Sequence, residues 1–350
     1  MRSISRLILS AVFLLLSVLL AAVAIYLPEL VFPYYTNLSK TVLQFLGTLT
    51  APFPTAVWEV LVVLAVLLAL YFLFHNKKPL RWLTGVVLFV SMLIFLFTAL
   101  WGVNHFGPSV AEQLDLTVTE YSKAQLQSTA QYMAEQASLW ADKVQRDDTG
   151  TMVTDFSALA KTASKGYNVM AKENRFFAGA DAAPVKKLLS GRLFSYMGLT
   201  GIFIAHTGEC CVNPETDPAS LPYTMCHELA HRLTVAGEDE ANFCAFLACL
   251  NNDDAIFQYS GWYSACLYTY NALHRVDVDA AAQVWNSMSP TLREDFRRAN
   301  EHYSQFDGKV QEVVDKANDT YLKVFQEESG VQSYGEVADL LIAWYLKTIV

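Results

Sequence analysis

Apolar residues crowd the chain before Asn104 and thin into an ordinary mixed pattern after it. Three runs are long enough to cross a bilayer as helix, which takes about 20 residues. They cover about 7–26 and about 83–103, both without a charge, and about 57–74, which carries one acid, Glu59, near its end. Backbone groups in hydrocarbon must be satisfied inside the segment, so each run predicts a helix. Residues 27–56 read as a loop between the first two. Its apolar positions Leu38, Val42, Leu43, Phe45, Leu46 and Leu49 predict a stretch lying on the interface, packing on the helix bundle, or buried as a re-entrant loop.

After Phe106-Gly107-Pro108 the pattern changes to that of a water-exposed domain. Residues 122–143 are rich in Ala, Gln, Leu and Met without Gly or Pro, and predict a helix. Residues 145–151 read as a turn, 155–172 as a second helix and 185–193 as a third. Gly201-Ile202-Phe203-Ile204-Ala205 is short, β-branched and glycine-bounded, and predicts a strand, with 210–213 as its partner. From Tyr223 the pattern is helical almost to the end, with Pro290 opening one helix and Gly330–Gly335 separating two others. No internal repeat is visible. The organisation expected is a membrane domain over 1–104 and a second domain over 105–350, mainly α with a small β-sheet.

Lys and Arg orient the membrane part. Arg2 and Arg6 precede the first run and Lys77, Lys78 and Arg81 fill the short second connection, whereas 27–56 holds only Lys40. The N-terminus is therefore expected in the cytoplasm and the large domain outside it. Ala22-Val23-Ala24 also offers a signal-peptidase-like cleavage site, which would leave that topology unchanged. Composition agrees with a membrane protein: 53% hydrophobic and 17% charged residues. A net charge of −9 excludes a nucleic-acid partner of the usual phosphate-neutralising kind. The six cysteines, all after residue 209, contain no CxxC pair and read as buried thiols, with a disulfide open if the domain faces an oxidising space.

The chemistry is concentrated in His227-Glu228-Leu229-Ala230-His231. On a helix two histidines four apart share one face, so both imidazoles can reach one ion, and a zinc ion (Zn2+) suits them. Glu228 is then placed to act on a water beside the metal rather than to bind it. A catalytic zinc needs a third protein ligand. The helix is expected to stop at Gly237 in a left-handed cap, and a second helix to begin in Glu238-Asp239-Glu240. Glu240 is the expected ligand, with Glu238 the competitor and Asp239 able to orient a histidine. The acids would otherwise serve only the helix dipole. Tyr263, His274 and Tyr334 are candidate donors to an oxyanion, each with a structural reading beside it.

Thr207-Gly208-Glu209-Cys210-Cys211-Val212-Asn213, the run CHELAHRLTVAGEDEANFCAFLACL from Cys226, and Asn318–Lys323 with Gly330–Gly335 resemble a bacterial membrane-protein family catalogued as domain of unknown function 3810. The resemblance covers nearly the whole chain and makes Glu209 a site candidate. The HExxH followed by Glu240-Ala241-Asn242-x-x-Ala245 is similar to antirepressor-cleaving zinc peptidases, which implies Glu240 as the residue completing the metal site, although the gap from His231 is short here. Together these imply a zincin-like, gluzincin-type α+β domain behind three membrane helices. The expected function is a membrane-anchored zinc metallopeptidase acting on protein or peptide substrates at the outer face of the cytoplasmic membrane. A zinc-binding sensor or scaffold without turnover is the alternative, and partner binding without metal a third.

Overall fold

In the computed structural model the described residues are 3–75, 78–324 and 334–350. Helices dominate. α1 (Ser3–Tyr26), α3 (Val57–His75) and α4 (Pro79–Leu100) are the three described helices long and apolar enough to cross a membrane; α2 (Pro28–Thr50) lies between them in sequence. The third starts and stops earlier than the apolar run suggests. Pro79 opens it, and past Leu100 the chain tightens into a 3₁₀ turn, Gly102–Phe106. Lys77 and Arg2 lie outside the described residues.

α1 and α4 run side by side. Their buried positions are Ser10, Ser17 and Ala24 on one and Thr84, Ser91 and Thr98 on the other, each series at a seven-residue spacing. Lipid gives no hydrophobic drive between helices, so small side chains that let backbones approach are what a membrane seam requires. The Arg6 guanidinium donates to the carbonyl of Arg81, so the two helices start at the same end. α3 shares little of this packing, with Glu59 its buried residue.

The stretch expected as a loop over 27–56 is mostly the helix α2. Pro28 fits its first turn. One α2 face covers the carboxyl end of α4: the Tyr35 hydroxyl donates to Ala99 O (3.1 Å) and Ser39 Oγ to Leu100 O (2.5 Å). Lys40 is buried and donates to Phe176 O; loss of solvent lowers its pKa to about 8. α2 is thus a strut between membrane helices and the second domain, rather than a surface stretch.

In that domain α5 (Val110–Gln113) leads into α6 (Lys123–Ala141), where Ser122 and Gln125 form a reciprocal capping box. The single helix expected over 155–172 is two, α7 (Phe156–Thr162) and α8 (Lys165–Met170). The helix expected over 185–193 is instead a short strand, β1 (Lys186–Lys187), followed by α9 (Gly191–Tyr196). β2 (Gly201–Ile204) and β3 (Glu209–Val212) form an antiparallel hairpin, and β1 adds parallel to β3, giving the order β1-β3-β2. The remainder is helical: α10 (Leu221–Arg232), α11 (Glu238–Leu250), α12 (Ala255–Val276), α13 (Val278–Ser287), α14 (Pro290–Ser304), α15 (Lys309–Val324) and α16 (Tyr334–Thr348). α6, α10, α11, α12 and α16 enclose the main core around Met225, Phe243, Phe246 and Tyr259. Most of the Gly330–Gly335 break falls outside the described residues.

Lys186 explains β1. Its ammonium meets Glu209 Oε1 at 2.7 Å, both side chains being nearly inaccessible, and donates to Thr50 O at 2.6 Å. The same Glu209 carboxylate accepts from the backbone N–H groups of Val57 (2.8 Å) and Trp58 (2.9 Å), the first turn of α3. Glu59 answers from α3 by accepting from Leu189 N and Ser190 N, at 2.8 and 2.9 Å. Glu209, a site candidate from its motif, therefore fastens the sheet to a membrane helix. Glu209→Ala would strand the Lys186 charge in the interior, a loss expected to cost about 3–5 kcal/mol. Denaturant unfolding of the chain in detergent would read it. Lys186→Met combined with Glu209→Gln should recover much of the loss.

Candidate metal centre

α10 starts with Leu221 and Pro222 and is buried along almost its whole length. Its last residue, Arg232, is fully buried and donates from Nη2 to the carbonyls of Ala180 and Ala183, each at 2.6 Å. A cation there also complements the helix carboxyl end. The helix stops at Leu233, before Gly237. The left-handed residue is Thr234 (φ 76°), while Gly237 has φ −67° and caps the start of α11. A β-branched residue in that region carries strain. The turn it forms has a use: His231 Nδ1 meets Val235 O at 2.8 Å. A carbonyl only accepts, so the proton sits on Nδ1 and the Nε2 lone pair faces the other way.

Three side chains converge there. Nε2 of His227 and Nε2 of His231 are 3.0 Å apart. Glu238 Oε2 is 3.2 Å from the first, and Glu238 Oε1 is 3.6 Å from the second. Ligands at about 2.0–2.1 Å from a tetrahedral zinc stand roughly 3.3 Å from one another. The two Nε2 atoms and the nearer carboxylate oxygen of each pair stand at about that spacing, and one ligand atom from each residue lies within 4.8 Å of the other two. Among the described residues, His227, His231 and Glu238 form the one group with metal-binding spacing.

Glu240, the expected third ligand, is not in that group. Two residues along a helix turn the side chain by about 200°. With Glu238 facing the histidines, Glu240 faces α5, where its Oε1 accepts from Val110 N at 2.6 Å. Asp239 is buried and lines a different cavity of about 600 Å³, which runs from Phe32 and Lys40 to the 234–240 turn and also takes in Glu240. Tyr263 is a core residue stacked on Phe296 (4.5 Å between rings), and His274 is exposed beside Tyr270. The Tyr334 side chain lies outside the described residues.

Glu228 is 4% exposed. Burial raises its pKa to about 8, against the opposing influence of His227. Its Oε2 is a buried acceptor without a hydrogen-bond partner, an arrangement that costs free energy until a donor arrives. Burial lowers the His231 pKa to about 4, keeping the ring neutral. Partial burial opposes ionisation of Glu238, yet the His231 and His227 rings hold it down at about 2. Burial opposes protonation of His227, yet its hydrogen bond and charge contact with Glu238 raise its pKa, so a metal ion entering the site would displace a proton from this pair before all three groups act as lone-pair donors.

β2 borders this group. A Cβ on Gly201 would stand 2.3 Å from Glu228 Oε1, so only glycine lets the strand lie against that carboxylate. Gly201→Ala is expected to push Glu228 aside and leave the three ligands in place. Stoichiometric zinc with turnover lowered by about 10²-fold would be the signature.

Sequence reading missed the neighbours from the membrane side. Trp101 Nε1 donates to His231 O at 3.0 Å, and its ring lies 5.0 Å from the half-buried His105. The proximity of Trp101 and His105 to a motif over a hundred residues later leaves no mark in local patterning.

A family model described as "Protein of unknown function (DUF3810)" matches residues 34–342. The chain belongs to the DUF3810 family. That match takes in most of α2, the two later membrane helices, the sheet and every residue of the candidate metal group. No curated protein and no solved structure matches the chain. For this DUF3810 member the site geometry is therefore the ground on which function is argued.

Proposed function

We propose that the protein is a zinc-dependent peptidase held in the membrane, with His227, His231 and Glu238 as ligands and Glu228 as general base. The observation that carries the reading is the convergence of two Nε2 atoms 3.0 Å apart on the Glu238 carboxylate, which meets one ring through Oε2 at 3.2 Å and the other through Oε1 at 3.6 Å, beside the Glu228 Oε2 atom, which is buried and has no partner. Three protein ligands leave a tetrahedral ion one position for water or substrate, the pattern of catalytic rather than structural zinc.

When bound, zinc would supply Lewis acidity to a water and to a peptide carbonyl. The residues do the rest. His231 is held by Val235 O with its Nε2 lone pair forward. Glu228 takes the proton of the attacking water onto its free oxygen and then gives it to the leaving amine. A substrate strand running along β2 would bring its carbonyl past Glu228, with backbone hydrogen bonds that tolerate many sequences. The helix-borne HExxH, the ligand from the next helix and the bordering strand resemble a gluzincin-type arrangement.

The basic residues Arg6, Lys78 and Arg81 sit at the shared starting end of α1 and α4. On the positive-inside rule that end is cytoplasmic, and the domain that follows Leu100 is extracytoplasmic.

The test uses the full chain purified in lipid. Elemental analysis should give one zinc per chain, and a proteome-derived peptide mixture should be cut by the wild type. Chelator should remove zinc and cleavage together, and zinc should restore both. A chain that holds zinc but cuts nothing would leave the sensor or scaffold reading. Absence of zinc would end both.

A further inference from the structure

The candidate metal group lies beside the end of the last apolar helix. α4 ends at Leu100, and the next residue, Trp101, already donates to the carbonyl of the ligand His231. As a helix of 22 residues α4 is about 33 Å long, close to the ~30 Å hydrocarbon core. Its end therefore cannot stand far above the lipid, and tryptophan is at home at that interface. The β2–β3 turn reaches lower still. His206 Nε2 is 3.0 Å from Leu93 O, seven residues back from the end of α4, or about 10 Å along its axis. Gly208 (φ 65°) lets this turn lie on α2, where a Cβ would meet Leu43 O at 2.3 Å.

Several contacts fasten the domain to these helices. The sheet is fastened to the first turn of α3 by Glu209 and Glu59, and to the end of α4 through Trp101, whose ring packs 5.8 Å from Phe203 of β2. β2 is one of the two edge strands of the sheet, pairing on one side with β3 and, among the described residues, with no strand on the other. It runs from Gly201, beside Glu228, down to the turn at the level of Leu93. A chain laid along its outer edge has the reacting bond at one end and the lipid at the other, about 10–15 Å apart.

We infer that the substrate is an extended segment of another protein anchored in the same bilayer, cut within about ten residues of the point where it leaves the lipid. This rests on the hydrolytic reading above and specifies its substrate class. A peptide in solution would reach this edge only by lying against the headgroups. An anchored segment is delivered there at high effective concentration by two-dimensional diffusion.

The experiment reconstitutes the zinc-loaded full chain in phosphatidylcholine–phosphatidylglycerol vesicles. Its probes are model single-span proteins, each carrying the same long unstructured outer segment of tiled sequence, and the identical segment free in solution. Mass spectrometry maps the cuts. The expected result is cleavage confined to the membrane-proximal part of the anchored segment, absent in Glu228→Gln, with the free segment cut at least tenfold more slowly. Equal cutting of the free segment, or of bonds far from the anchor, would overturn the substrate class and leave the peptidase standing. Cleavage of neither probe would overturn the peptidase reading and this one with it. A second readout needs no activity. A fluorescent residue at position 204 should be quenched by lipids labelled near the headgroup, and one at exposed position 253 should not. Equal quenching at both positions, or none at 204, would refute the depth of the site.

Discussion

Replacing Glu228 by glutamine is expected to lower peptide hydrolysis by about 10²–10⁴-fold, the usual contribution of a positioned general base, and to leave bound zinc unchanged. The two measurements must be made on the same preparation. Glu228 is not a member of the three-residue group, so metal content should not follow activity down. Glutamine also fills the pocket against Gly201 with nearly the same shape, which keeps β2 in register. The outcome that sinks the proposal is full turnover at full zinc occupancy. A loss of both would show that Glu228 holds the site together rather than moving a proton.

Glu238 and Glu240 offer the second large contrast, because they are two residues apart on one helix and face different partners. Glu238→Gln is expected to weaken zinc binding by ~10²-fold or more, exceeding the 10–100-fold typical of residues that only support a ligand. Glu240→Gln should leave zinc affinity within a few-fold of wild type, because its carboxylate is spent on Val110 N. The cost there is local, about 1–3 kcal/mol from a weakened charge-assisted hydrogen bond at the start of α5. Competition with a chromophoric chelator would measure both affinities. If Glu240→Gln releases the metal and Glu238→Gln does not, the assignment from geometry is wrong.

The cysteines bear on both experiments. All six are buried free thiols, and burial raises those of Cys210, Cys211 and Cys266. Cys226 of α10 and Cys249 of α11 have their sulfurs 3.8 Å apart. Such thiols react slowly, so labelling at engineered surface positions can proceed in their presence.

Much was legible in the sequence because it is written locally. The three membrane helices follow from runs of apolar residues, since a bilayer demands length and hydrophobicity and little else. The β2–β3 hairpin follows from β-branched residues between glycines. His227, Glu228 and His231 follow from helical periodicity alone, which places residues four apart on one face without help from the rest of the chain.

Tertiary structure decided what depends on where one segment meets another. Whether residues 28–50 are loop or helix was settled by their docking on the end of α4, where Ser39 and Tyr35 find otherwise unpaired carbonyls. Lys186 became a strand residue because Glu209 waits on β3 to neutralise it. The choice of Glu238 over Glu240 turned on a single reversal: Thr234, not Gly237, takes the left-handed conformation, which sets the rotation at which α11 begins and so the acid that faces the histidines. Helix phase across a turn is a three-dimensional quantity, fixed by packing and by the His231–Val235 hydrogen bond, and no local pattern of residues encodes it.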